Sequence, residues 1–412
     1  MNELLFELIR VALGNADRLS HIPKPNEWQK LYDMAKKQSL VGICFAGVQK
    51  TLSNSPLKGE GPSVIGMPKM LYLTWLGMAA KIQQRNEVMN GKTKEALEFF
   101  REKGFPCQVL KGQGIAALYR VGSNGSKALN GSSGSSEQSS GSNSANLEQP
   151  KALNNLNGSQ SIEPEERDLS LLRQSGDIDV WAAGGREKIY HLSREVLGKI
   201  TGANYHHIHF PMWEDPEIEL HIYPSFLSSP YRNWQLHKFC KLNEPKDDGQ
   251  EFPSAAFNLV FIMLHCYRHL CGHGVGMRQV MDYFFVLRTV PEVSESSNGS
   301  KVETLKWCKK LGMGRFAPAL MWVMKEVFGL DDECLLCEPN EKEGRFLLNE
   351  IMNTGNMGHG ETRFQWGQKS AWGRFVAAQR RNLHLATHYP HEVLWSPIFN
   401  IWRFFWLKTK GL

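Results

Sequence analysis

Between Tyr119 and Trp181 the chain has no aromatic residue, although aromatics make up 10% of its 412 residues. It also lacks any run of about 18 apolar residues, so no transmembrane helix is expected. The nearest approach, "LWSPIFNIWRFFWL" (Leu394 to Leu407), is interrupted by Pro397, Asn400 and Arg403. The start, "MNELLFELIRVALG", carries Glu3 and Glu7 where a secretory signal needs basic residues, and no small-residue cleavage pattern follows. Eight cysteines scattered over this length are too sparse for the disulfide framework of a small secreted domain. A reducing, cytoplasmic setting is the expectation. A strong excess of one charge is missing too: 48 Lys+Arg against 42 Asp+Glu leaves +6. That balance tolerates phosphate contacts but does not favour nucleic acid as the partner.

What is present is an ordinary globular composition, 42% hydrophobic and 22% charged. Leu4, Leu5, Leu8, Ile9 and Ala12 recur at helical spacing and predict a surface helix. The aromatic-free stretch contains "NGSSGSSEQSSGSNSANLEQP" (Asn130 to Pro150), too polar to offset the entropy of ordering it. It reads as a disordered insertion over 121–168. Around it the pattern alternates. "FPCQVL", "GDIDVW", "NYHHIHFPMW" and "EIELHIY" have strand character, and a helical stripe of Ile189, Leu192, Val196 and Leu197 lies among them. The expected fold is α+β: a small mixed sheet at 101–230, an N-terminal helical region at 1–100 and a C-terminal helical domain at 231–412.

The motif with chemical content is "RQSGDIDVW" (Arg173 to Trp181). In a strand, residues two apart share a face, so Asp177 and Asp179 project together while Ile178 and Val180 face the core. Paired carboxylates repel unless a hard cation bridges them, and Mg²⁺ favours one or two carboxylates with phosphate oxygens and water. The same alternation puts Glu217, Glu219 and His221 on one face of "EIELHIY". Taken singly, such patterns are common on solvated strands. Here a glycine, Gly176, precedes the pair, a strand-turn-helix through Lys111-Gly112 comes earlier, and an acidic strand follows. A glycine at a helix entrance lets backbone amides approach phosphate.

"VLKGQGIAALY", "RQSGDIDVW" and "EIELHIY" together resemble the nucleotidyltransferase fold of the DNA polymerase beta superfamily. They are most similar to a bacterial family of uncharacterised nucleotidyltransferases, and "HCYRHLCGHGVGMRQVMDYFFVL" (His265 to Leu287) is similar to its helical half. The resemblance implies that Asp177 and Asp179 hold Mg²⁺ and that Glu219 is the third acidic residue. It implies that Lys111 and Gly112 lie beside the triphosphate, with Gly176 next to the carboxylates. It further implies two Mg²⁺ ions and a nucleoside triphosphate, ATP being the expected one, attacked by an acceptor hydroxyl. Arg173 would neutralise phosphate charge, and Glu219 would serve as base or metal ligand. The superfamily's usual Gly-Gly or Gly-Ser is Gly112-Gln113 here. With the insertion, this keeps open a second class: a catalytically weak nucleotide-binding or protein-interaction module.

His265, His269 and His273 are spaced by four, with Gly272 and Gly274 expected to end the helix before the third. The first two read as packed helical histidines or as a basic wall over the nucleotide. They lack the glutamate of a zinc protease motif. Arg278 and Asp282 have the spacing of an intrahelical ion pair. "CLLC" (Cys334 to Cys337) has no second pair nearby. The C-terminal aromatics are expected in a core, with peripheral membrane contact as the other reading.

Overall fold

The computed structural model describes residues 1–55, 61–121, 167–200, 202–290, 300–364 and 370–409. Most of the segment read as an insertion, 122–166, therefore lies outside the described residues. Helices α1 (Asn2–Leu13), α2 (Pro25–Lys37) and α3 (Val41–Ser53) precede a helix of 34 residues, α4 (Lys69–Glu102). The sheet region runs β1 (Cys107–Val109), α5 (Gln113–Ala116), β2 (Arg120–Val121), β3 (Arg167–Asp168), β4 (Ile178–Ala182), α6 (Gly185–Leu197), β5 (His207–His209) and β6 (Ile218–His221). Helices α7 (Pro230–Leu242), α8 (Ala255–Cys271) and α9 (Met277–Leu287) follow, and further helices extend to Thr409. The class is α+β, as read from the sequence.

Four strands form one sheet in the order β1-β4-β6-β5, parallel only between β4 and β6. Alternation along each strand divides its faces. Ile178, Val180, Ala182, Ile208, Ile218 and Leu220 point to a core closed by Met89, Leu97 and Phe100 of α4 and by Ile189 and Leu192 of α6. On the other face Trp181 stacks on Phe257 of α8, with centroids 5.4 Å apart. The polar side chains of the sheet are thus held between it and the helices that follow.

Two expectations change. Helix α1 is not a surface helix: Leu4, Leu5, Phe6, Leu8, Ile9, Val11, Ala12 and Leu13 are all buried. Its polar residues Glu3, Glu7 and Arg10 form one narrow outward stripe, and the rest of the helix packs against its neighbours. One core joins α1 to α3, the first half of α4, α8, α9 and the later helices. Helix α4 links the two cores: Leu71, Trp75, Ala79 and Ile82 enter the first, and Met89, Ala96, Leu97 and Phe100 the second. The C-terminal aromatics form a core only in part, Phe399 packing with Tyr205 and Phe226 and Trp406 lying against them. In helix Ser396–Thr409, Phe399 is buried, whereas Trp402, Phe404 and Phe405 are exposed. No helix among the described residues is long and apolar enough to cross a membrane.

Strands β2 and β3 pair antiparallel, Arg120 with Asp168 and Val121 with Arg167, so the chain leaves and re-enters at one place. Replacing 122–166 with a short Gly/Ser linker should move the melting temperature by no more than about 2–4 °C, because closure entropy changes by only ~0.6 kcal/mol per doubling of length. A larger loss in calorimetry would show that the segment packs on the folded part.

Farther along, fully buried Glu350 accepts a fork of hydrogen bonds from Arg363 at 2.7 and 2.9 Å and bonds to His384. Burial would raise this carboxyl, but the hydrogen bonds from Arg363 and His384 outweigh it and hold it below its ordinary 4.5. A depressed carboxylate contributes stability above that ordinary value and loses it as pH falls through the lowered one. Glu350→Gln should therefore cost about 3 kcal/mol at neutral pH. Urea titrations on the acid side of 4.5 should show the gap to the parent closing.

Candidate active site

The site begins with the parallel register of β4 and β6, in which Asp179 is the partner of Glu219 and Trp181 that of His221. Strand β1 ends beside β4, with the Leu110 amide donating to the Asp179 carbonyl at 3.0 Å. Lys111, the next residue, brings its Nζ to 3.0 Å from Asp179 Oδ1. The same oxygen is 2.8 Å from His221 Nε2, which lies 3.3 Å from Glu219 Oε2. Asp179 is almost fully buried, and so is His221. Ligand atoms of Asp179, Glu219 and His221 all fall within 4.8 Å of one another. Asp177 stands just before β4 and outside that group.

A cleft of about 240 Å³ opens beside Asp179. Lys111, Gly112, Arg173, Gly176, Asp177, Asp179, His265 and His269 line it, so it gathers every residue named for the nucleotide and metal except Glu219. Gly112 has φ +64° and ψ −113°, a backbone conformation side chains strain to adopt. Helix α5 is a single turn, so its dipole adds little at this entrance. Gln113, where the superfamily has Gly or Ser, is buried and donates to Asn90 Oδ1 of α4. It does not face the cleft.

Arg173 lines the cleft with its guanidinium committed to a carboxylate. It is 4% exposed and forks onto Asp282 of α9, Nε to Oδ1 at 2.7 Å and Nη2 to Oδ2 at 2.8 Å, and Tyr119 Oη donates to the same carboxylate at 2.6 Å. Asp282 is therefore no partner for Arg278 within the helix. Arg278 instead donates to the Gln174 carbonyl at 2.9 Å, and its Nε has no hydrogen-bond partner among the described residues. It lines the cleft as a cation that sequence spacing had assigned elsewhere. From the other side, Asn86 of α4 donates to the carbonyls of Leu171 and Arg173 at 2.8 and 2.6 Å. The segment before the aspartates is clamped between α4 and α9.

The electrostatics follow from this packing. Burial would lower Lys111, but Asp179, Asp177 and Glu219 outweigh it and keep the ammonium charged. Burial likewise opposes ionisation of Glu219, yet its hydrogen bond and charge contacts with His221, then Lys111 and His207, hold it well below the usual carboxylate range. His221 is lowered by burial but raised to about 9 by its hydrogen bonds to Asp179 and Glu219. His265 and His269, rings 4.3 Å apart, are pushed far below 6.5, foremost by burial and then by each other or Lys111. That direction favours packed helical histidines over a basic wall, although both side chains line the cleft.

Beyond Glu219 lies a group that strand alternation alone did not reveal. In β5 His207 pairs with His221 and His209 with Glu219, and His206 adjoins them. The run "HHIH" was its only signal. All eight cysteines are free, and burial raises the thiols of Cys334 and Cys337. Nothing at "CLLC" points to chemistry.

Residues 24–123 match the model of a family described as uncharacterised nucleotidyltransferase. The match supports a nucleotidyltransferase family for this chain, as the motifs suggested. It includes Lys111 and Gly112 and ends before the carboxylates. No curated protein matches, and no solved structure does.

The Arg173–Asp282 pair is a stability element and testable as one. Asp282→Asn should cost about 3–5 kcal/mol in urea unfolding because it strands a buried guanidinium, whereas Arg173→Met with Asp282→Leu should cost much less. Equal losses in single and double variants would contradict this assignment.

Proposed function

We propose that the chain is a metal-dependent nucleotidyltransferase that moves a nucleoside monophosphate from a nucleoside triphosphate, ATP being the expected one, to an acceptor hydroxyl on a small molecule, glycan precursor or protein. The observation that carries this reading is the register pairing of Asp179 with Glu219 beside a cleft walled by Lys111 and Arg278. The donor set fits a divalent ion. Asp179 and Glu219 bring oxygens within 4.8 Å of each other, and Asp177 stands at the same cleft. Hard carboxylate oxygens suit Mg²⁺, two ions in the reading taken here, with phosphate completing the shell. Ions bound there supply Lewis-acid charge toward phosphate oxygens.

The chain's own residues divide the remaining work. Lys111 and Arg278, both lining the cleft, offset the triphosphate's charge, and the Gly112 backbone leaves room for close approach. Glu219, with its depressed pKa, is a weak base and suits ligation better than proton abstraction. Arg173 positions the loop carrying Asp177 and stays out of the reaction. Because Gln113 turns toward Asn90, it gives no support to the catalytically weak alternative.

Asp177 and Asp179 should differ on substitution. Asp177→Asn should keep stability within about 1 kcal/mol of the parent and abolish transfer of label from α-labelled triphosphates in Mg²⁺ with cell lysate as acceptor source. Asp179→Asn should abolish transfer too, but with a clear loss of stability, since Lys111 and His221 lose their shared partner. Undiminished labelling by Asp177→Asn, or no labelled product from the parent with any of the four nucleotides, would count for the binding-module alternative.

A further inference from the structure

We propose a second metal site, made of imidazoles, in which His206, His207 and His221 bind a transition-metal ion such as Zn²⁺ next to the carboxylate pair. One ligand atom from each of these histidines lies within 4.8 Å of the others. Their ring centroids are 4.4, 5.4 and 5.2 Å apart, with planes tilted by 52°, 65° and 70°. Three imidazoles bound to one tetrahedral ion at about 2.0–2.1 Å would place their ring centres about 5 Å apart, tilted rather than stacked.

A second observation is independent of that spacing. Nδ1 of His206 and Nδ1 of His207 are buried and have no hydrogen-bond partner among the described residues. The His207 atom comes to 3.1 Å from Glu219 Oε2 without hydrogen-bonding alignment. His207 is only 6% exposed. Two adjacent buried ring nitrogens without a hydrogen bond are a cost that a bound ion removes. His221 has a carboxylate on Nε2, Asp179 at 2.8 Å, as metal-bound histidines commonly do, and its Nδ1 lies 3.3 Å from the Tyr223 carbonyl, a long contact that an ion would displace.

Imidazole donors select zinc, copper, iron or nickel, while the carboxylates alone suit magnesium. The strand arrangement makes the two sites neighbours. His221 is two residues from Glu219 and opposite His207, so an ion on the histidines would tie edge strand β5 to β6 and place divalent charge beside Asp179. The site does not depend on the transfer reaction.

Cobalt(II) titrated into the full-length protein without nucleotide tests this directly. One equivalent should bind, with the visible absorption of low-coordinate cobalt, be displaced by Zn²⁺ and resist excess Mg²⁺. His206→Ala, which alters a half-buried side chain, and His207→Ala should each weaken cobalt binding by more than the ~100-fold that outer partners reach. His209→Ala and Asp177→Asn should leave the spectrum intact. If His207→Ala fails to fold, His206→Ala decides by itself. Competition by Mg²⁺, or an unchanged spectrum in His206→Ala, would overturn the site. A parent that binds cobalt as described but transfers no nucleotide would overturn the nucleotidyltransferase reading alone.

Discussion

Asp282 can satisfy only one arginine as a bidentate partner, and it takes Arg173 from 109 residues away rather than Arg278 one helical turn upstream. That choice organises the rest. With Tyr119 on the same carboxylate, the pair joins the link between α5 and β2, the loop before β4 and helix α9 at one buried point. Removing either charge would leave the other in a low-dielectric interior, so the geometry is strongly specified even if the pair adds little net stability. Arg278, released from Asp282, reaches the Gln174 carbonyl and the cleft. One ion pair thus sets both the position of the acidic loop and the supply of a cation facing it.

The acidic strand face is governed by a similar economy of partners. Asp179 is buried on a sheet face that also presents Glu219, which would be prohibitive for bare carboxylates. Lys111 and His221 both approach Asp179 Oδ1, and His221 reaches Glu219 as well. The pattern Asp-x-Asp suggests mutual repulsion, but the structure separates the two aspartates by environment. Asp179 is clasped inside, and Asp177 stands half-buried at the cleft.

The parts legible in the sequence were those with local periodicity. Strand alternation placed Ile178 and Val180 in a core and put Glu219 and His221 on one strand face, and Gly272 marked the end of α8. The misreadings share a cause: each involved a partner distant in sequence. Arg278 and Asp282 looked like a helical pair because spacing reports only intrahelical neighbours, and Arg173 was read as a cation for phosphate because nothing in its own stretch shows that Asp282 of α9 takes its guanidinium. The burial of α1 depends on α3 and on the helical segment ending near Phe328, whose carbonyl accepts from Asn15 at 2.6 Å. The histidines of β5 acquire meaning only when β6 lies antiparallel to them, a pairing that no period within "HHIH" encodes.

The family match stops at residue 123, and the carboxylates follow only after 122–166. The candidate site is therefore divided in sequence between Lys111-Gly112 and Asp177-Asp179. Its halves are reunited by three contacts of different kinds: the β1–β4 pairing, the short β2–β3 ladder and the Asn86 clamp on the Leu171 and Arg173 carbonyls. Only the first belongs to the sheet. The ladder holds the two ends of the intervening segment side by side, and Asn86 fixes the returning chain against α4 where that helix passes from one core to the other. A long segment can enter at this point without changing the distance from Lys111 to Asp179, because the register that sets that distance is made by residues outside it.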